Sequence, residues 1–133
     1  MQEIYDVVGD KIRGIFNRDM EIRIFDSATG MVHVPYTYEN GKRISVSPFP
    51  FPQAGFSPHI RRTGETLVIN ENMDQEAKKY GSLTVPGTKS EKSLVFVPLV
   101  AGDQARGLIS LADMEREHAF GESDIRLLQT LAN

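Results

Sequence analysis

The chain has 133 residues, enough for one domain that buries roughly two thirds of its unfolded surface. Its 15 basic and 18 acidic residues leave a net charge of −3, and 25% charged against 40% hydrophobic residues is an ordinary soluble composition without an electrostatic footprint for nucleic acid. With no cysteine, disulfides, thiolate metal sites, cysteine nucleophiles and thioether-linked cofactors are excluded; no apolar run nears the roughly 20 residues that span a bilayer, and no signal peptide is visible, so a cytoplasmic home is expected.

Ile4, Val7, Val8, Ile12, Ile15 and Phe16 recur at steps of three and four, which predicts an amphipathic helix, weakened by Gly9 and Gly14. Met20, Ile22 and Ile24 alternate with Glu21, Arg23 and Phe25, the spacing of a strand. A turn over 27–30 leads to a second strand with Val32, Val34, Tyr36 and Tyr38 expected on one face and His33 on the other. Asn40-Gly41 is a hairpin signal because both residues tolerate positive φ, and Ile44 and Val46 continue the return strand. Residues 47–58 hold four of the seven prolines, interleaved with Phe49, Phe51 and Phe56, and read as an extended loop. Ser57 and Pro58 then read as N-cap and first residue of a short helix over 59–63, closed by Gly64.

Thr66 to Ile69 predicts a further strand, and Asn72 is expected to cap a second short helix that runs to Lys79 and closes at Gly81. Residues 82–92 read as a polar loop. The segments 93–100 and 105–113 are apolar on both faces and predict a hairpin at the centre of the sheet. A charged linker follows, then a helix from Asp124 that reaches Asn133 without a glycine cap, a proline or a basic last turn. The order is α+β, helices framing a mostly antiparallel sheet.

The stretch Leu94-Val-Phe-Val-Pro-Leu-Val100, a turn, Gly107-Leu-Ile-Ser-Leu-Ala-Asp113, and Phe120-Gly-Glu-Ser-Asp124-Ile-Arg-Leu-Leu resembles the C-terminal half of a GAF domain. Upstream, Ile60-Arg-Arg-Thr-Gly64-Glu-Thr-Leu-Val-Ile69 resembles that family's short helix and following strand. The resemblance covers nearly the whole chain. It implies one GAF/PAS-like domain over residues 1–133, truncated within or near its last helix, with a six-stranded antiparallel sheet between helices and a small-molecule pocket on one face. It further implies a place upstream of a histidine kinase, nucleotide cyclase, phosphodiesterase or transcription activator, and pairing into a homodimer through the terminal helices.

Each ligand class of the family meets a residue test. Covalent bilin and the free methionine sulfoxide reductase activity both need cysteine, which is missing. The cyclic-nucleotide motif, Asn-Lys, then Phe, three residues, Asp-Glu, corresponds to Asp113-Met114, Phe120 and Asp124-Ile125; Phe120 and Asp124 match, and Asn, Lys and Glu do not. Asp124 reads better as a carboxylate satisfying amides in a first helical turn, with Glu122 helping. Haem needs one histidine, and His59 ranks ahead of His33 and His118 because its neighbours are aromatic. Neither haem nor cyclic nucleotide has a supporting motif, so the cofactor is left unknown.

Other constellations lack the spacing their chemistry requires. Gly87-Thr-Lys-Ser90 imitates a phosphate loop, but Thr88 separates glycine from lysine and Pro86 removes a donor. The run 113–118 reads as a solvated connection, and the histidines show no metal-ligand spacing. No acid/base or nucleophile set is visible, so the chain is not expected to be an enzyme. The expected function is a regulatory small-molecule sensor of a larger signalling protein, its candidate pocket residues Phe51, Phe56, His59, Tyr80 and Phe96. The alternative is a dimerisation module without ligand, built on the stripes Ile4, Val8, Ile12, Ile15 and Ile125, Leu128, Leu131, Ala132. No nucleic-acid or membrane partner is expected, and the output domain is expected beyond residue 133.

Overall fold

The computed structural model describes residues 2–82 and 90–133, and the Gly87–Lys89 part of the phosphate-loop look-alike lies outside them. In chain order the described elements are α1 (Gln2–Phe16), β1 (Asp19–Asp26), β2 (Met31–Glu39), β3 (Lys42–Pro50), α2 (Phe56–Thr63), β4 (Leu67–Ile69), α3 (Met73–Lys79), β5 (Ser93–Ala101), β6 (Gln104–Asp113) and α4 (Glu122–Ala132). The strands form one sheet in the order β3-β2-β1-β6-β5-β4, with every pairing antiparallel. This is the expected α+β, GAF/PAS-like arrangement; of the hairpin expected at the centre, β6 is central beside β1, whereas β5 lies second from the edge.

Two apolar clusters lie on opposite faces of the sheet, because alternate side chains of a strand point opposite ways. Ile12, Ile22, Tyr36, Ile109, Leu111 and Leu128 gather under α1 and α4. Phe25, Val32, Ile60, Met73, Phe96 and Leu108 gather under α2 and α3. On β5 the alternation is explicit: Val95 and Val97 join the first cluster, Leu94 and Phe96 the second. The stripe Ile125, Leu128, Leu131, Ala132 of α4 covers the sheet, with Leu128 at 0% exposure. The α1 stripe splits: Val8 and Ile12 face the core, whereas Ile4 and Ile15 are exposed together with Val7.

Two departures from the expected strands involve prolines. Ile22 pairs with Tyr36 and Ile24 with His33, so β2 places Val34 and Pro35 opposite the single residue Arg23 of β1. This bulge, at a residue that has no N–H for the ladder, reverses the facing of β2. Val32 and Val34 therefore pack on the α2/α3 side, and Tyr36 and Tyr38 on the α1/α4 side, rather than all four sharing one face. The return strand also runs through Pro48 to Pro50 instead of breaking into a loop at 47. β3 is an edge strand; the Phe51 N–H donates to the Gly30 carbonyl at 2.8 Å, so by alternation the nitrogen of Pro50 faces outward.

The short helices also differ in detail. α2 starts at Phe56 with Gly55 (φ 105°) as its N-cap, one turn's fraction before the expected Ser57 cap, while Gly64 takes the left-handed C-cap as expected. Asn72 holds the N-cap position of α3 in the left-handed region, without a side-chain capping bond.

Gly9 explains how α1 docks. A Cβ there would lie 2.3 Å from the ring of Tyr36, so the helix backbone rests flat on that ring. The Tyr36 hydroxyl donates to Asp10 at 2.7 Å, and Arg43 covers the ring at 3.8 Å while bonding Asp6 at 2.7 Å. Burial, then the Asp10 carboxylate, pushes the Tyr36 phenol up to about 12. Gly14, by contrast, has open space at its Cβ position. Gly14→Ala is therefore expected to stabilise the fold by up to about 1 kcal/mol through helix propensity. Gly9→Ala is expected to destabilise it by about 1–3 kcal/mol through overpacking, despite the same propensity gain. Urea unfolding of the two variants measures both signs.

Candidate ligand pocket and the linker beside it

Among the described residues, the cover on the α2/α3 side is incomplete. A cavity of about 630 Å³ opens between the sheet and the segments around α2 and α3. Its floor is β1, β5 and β6, presenting Glu21, Arg23, Leu94, Phe96, Ser110 and Ala112; Phe49, Phe56, Ser57, Met73 and Ala77 form walls. The size is that of small-molecule sites. Glu21 and Arg23 stand two apart on β1 and so share the floor, where a purely apolar core would have excluded them.

Arg23 Nε donates to Glu21 Oε2 at 3.2 Å, and its Nη1 donates to Ser57 Oγ, also at 3.2 Å. The Arg23 guanidinium also lies 5.3 Å from the Phe49 ring centre. The two charged side chains are only 29% and 21% exposed. Burial raises the Glu21 carboxyl above the usual carboxylate range, against the lowering effect of Arg23. Asp19, Glu39 and Glu91 also line the opening, and Arg23 is the one cation among the described lining residues.

Four of the five aromatic and histidine residues singled out in the sequence come together. Phe56 stands 4.9 Å from Phe96 and 5.6 Å from Tyr80, and Tyr80 meets His59 edge-on at 4.7 Å. Only Phe56 and Phe96 line the cavity. Tyr80 and His59 stand behind Phe56, and the His59 ring bonds Arg62 at 3.3 Å. Phe51 lies apart, edge-on to Phe25 at 5.1 Å and beneath Arg61 at 4.5 Å. His33 and His118 are exposed and pair with Asp26 and Glu71. No group of three metal-ligating side chains occurs among the described residues. The polar side chains, Glu21, Arg23 and Ser110 on the floor and Ser57 on the wall, were not among the candidates. Alternate polar residues on a strand ordinarily mark a solvent face, and nothing local shows that β1 is central.

The segment between β6 and α4 exposes Glu115 to His118, as a solvated connection should, yet its main chain is held firmly. Asp113 is 7% exposed; its Oδ1 accepts the amides of Glu115 at 2.8 Å and Arg116 at 2.9 Å, and its Oδ2 lies 3.0 Å from Arg18 Nε. Desolvation works to raise the Asp113 carboxyl, but these amides and the two arginines prevail and hold it below the usual range. Buried Ser93 donates to the Arg116 carbonyl at 2.7 Å and accepts the Ala119 amide at 3.2 Å. Asn70 closes the set, donating to the Phe120 carbonyl at 2.9 Å and accepting its amide at 3.3 Å.

The sequence profile described as GAF domain matches residues 1–133. The chain belongs to the GAF domain family. No curated protein matches it. Among solved structures, it is similar to residues 122 to 287 of a methyl-accepting chemotaxis protein, with a TM-score of 0.76 and 14% identity over 99% of this chain and 82% of that one. It is also similar to the GAF domain of an Acinetobacter phosphoenolpyruvate-protein phosphotransferase, with a TM-score of 0.72 and 14% identity over 92% and 72% of the two chains. A third is a domain of a putative two-component sensor histidine kinase from Sinorhizobium meliloti 1021, with a TM-score of 0.62 and 22% identity over 100% and 85%. These likenesses concern the fold.

In this GAF domain the positions corresponding to the cyclic-nucleotide motif have structural partners. Asp113 clamps the linker, Phe120 is 4% exposed in the core, and Ile125 packs against it. Asp124 accepts the Gly121 amide at 3.1 Å, the first-turn role expected of it. Met114 alone of the five lines the cavity. Because the Asp113 carboxyl is depressed, its contribution to stability is present above the ordinary aspartate range and is lost as pH falls through its folded-state value. Asp113→Asn is expected to cost about 1–3 kcal/mol at neutral pH. The gap to the parent protein should narrow in acid; denaturant midpoints measured across pH test both statements.

Proposed function

We propose that this GAF domain is a regulatory, non-catalytic sensor of a small molecule in a multidomain signalling protein. The cavity of about 630 Å³ carries the reading, since an aromatic wall beside a half-buried ion pair is a ligand site's composition and a poor filler for a closed core. Membership of the family, and likeness to domains of a chemotaxis protein and a sensor histidine kinase, support a signalling role. No helix among the described residues is long and apolar enough to cross a membrane, in keeping with a domain that works in the cytoplasm.

The neighbours of the pocket supply a route outward. Ala112 and Met114 line the cavity, and Asp113 between them fixes the linker to α4. Met73 and Ala77 of α3 line it too, and α3 follows closely on Asn70, which holds Phe120. A ligand that shifts α3 or the end of β6 thus biases the pose of α4.

A screen of metabolites and cyclic nucleotides by thermal unfolding is expected to yield at least one compound that raises Tm. Saturation at a hundredfold over Kd is worth roughly 2.7 kcal/mol, several degrees. No shift across a broad library would sink the sensor reading.

The exposed Ile4, Val7 and Leu127 favour pairing with a second copy through the terminal helices; their exposures are 59%, 68% and 41%. Sedimentation should show a dimer that Ile4→Glu with Val7→Glu converts to monomer. A parent chain that stays monomeric at high concentration refutes the pairing.

A further inference from the structure

We propose that the pocket takes a compact zwitterion, an α-ammonium carboxylate with an apolar side chain. The proposal rests on the sensing role and adds the chemistry of the ligand. The floor sets a positive and a negative group side by side, with Arg23 Nε 3.2 Å from Glu21 Oε2. A ligand whose own two charges are adjacent is the complement of such a pair.

The donors and acceptors fit that complement. A guanidinium has five N–H donors. Arg23 gives one to Glu21 and one to Ser57, which leaves donors to fork a carboxylate. Arg23 uses one of about four lone-pair sites on the Glu21 carboxylate, and an ammonium can take another. Glu21 stands opposite Ser110 on β6 and opposite Thr37 on β2, so hydroxyl groups flank it on the same face. Ser110 is 9% exposed and lines the cavity.

Charge decides between the zwitterion and simpler ions. Asp19, Glu39 and Glu91 line the opening beside the pair, so a bare carboxylate meets repulsion there, while an ammonium is attracted. A bare ammonium leaves the donors of Arg23 unmet in a half-buried site. A ligand carrying both charges answers both and adds no net charge. Its apolar part has a place as well. Ser57, which receives Arg23, adjoins Phe56 in the chain, and Phe56 stands 4.9 Å from Phe96.

The test titrates the protein calorimetrically with leucine and phenylalanine, their decarboxylated amines and their deaminated acids. At least one amino acid should bind, with its amine and its acid each weaker by about tenfold or more. Arg23→Gln and Glu21→Gln should each weaken that amino acid by a similar factor. Should either variant fail to fold, Arg23→Lys keeps the charge, removes the fork and should still weaken binding. An amine or acid that binds as tightly as its amino acid overturns the proposal. So does absence of binding by both amino acids; if another metabolite then raises Tm, the sensor reading survives and only the zwitterion is lost.

Discussion

Both faces of β5 and β6 are apolar, and this one constraint organises the rest of the molecule. A sheet whose β1, β6 and β5 bury side chains up and down cannot leave either face to water, so helices must cover both. On one face α1 and α4 do so closely, with Ile12, Ile22, Tyr36 and Leu128 at 0–1% exposure. On the other face the helices are short, eight residues in α2 and seven in α3, and cannot span the sheet. The uncovered part is where β1 substitutes Glu21 and Arg23 for apolar residues. Among the described residues, the pocket is thus a shortage of cover matched by a local change in the floor.

Buried polar side chains do a different job where β6 passes into the linker. Asn70, Ser93 and Asp113 belong to separate parts of the chain, yet each bonds main-chain groups of the segment before α4. An irregular backbone carries unmet amides and carbonyls, and satisfying them from fixed strands gives that backbone one conformation. The charges along the segment face water while its main chain is held from below. The linker is therefore as well placed as a helix turn, and it adjoins the pocket through Ala112 and Met114.

The helices, the strands in chain order and the family resemblance were legible because they rest on periodicity and short-range signals: the alternation of Met20, Ile22 and Ile24, the Asn40-Gly41 turn, the glycine at 64. What escaped depends on partners distant in sequence. Ser93 bonds a carbonyl 23 residues away and Asn70 one 50 residues away, which no local pattern reveals. Pro35 was a visible cue for the β2 bulge, since proline inside a strand marks an irregularity, and it went unread among the apolar residues around it. Of the candidate site, Phe56 and Phe96 were legible from composition, whereas Phe51, His59 and Tyr80 lie off the cavity. The polar half was not legible, because Glu21 and Arg23 look solvent-facing until β6 is known to lie beside β1.

The contact between Gly9 and the Tyr36 ring restricts how the first helix can move. A notch without a side chain, seated on a flat ring, lets the helix backbone lie directly against the sheet. Sliding by one turn, about 5.4 Å along the axis, would bring Tyr5 or Arg13 onto the same ring. Neither can lie where a Cβ alone already collides. A one-turn piston displacement of this helix against the sheet is thereby barred by the side chains on either side of the notch.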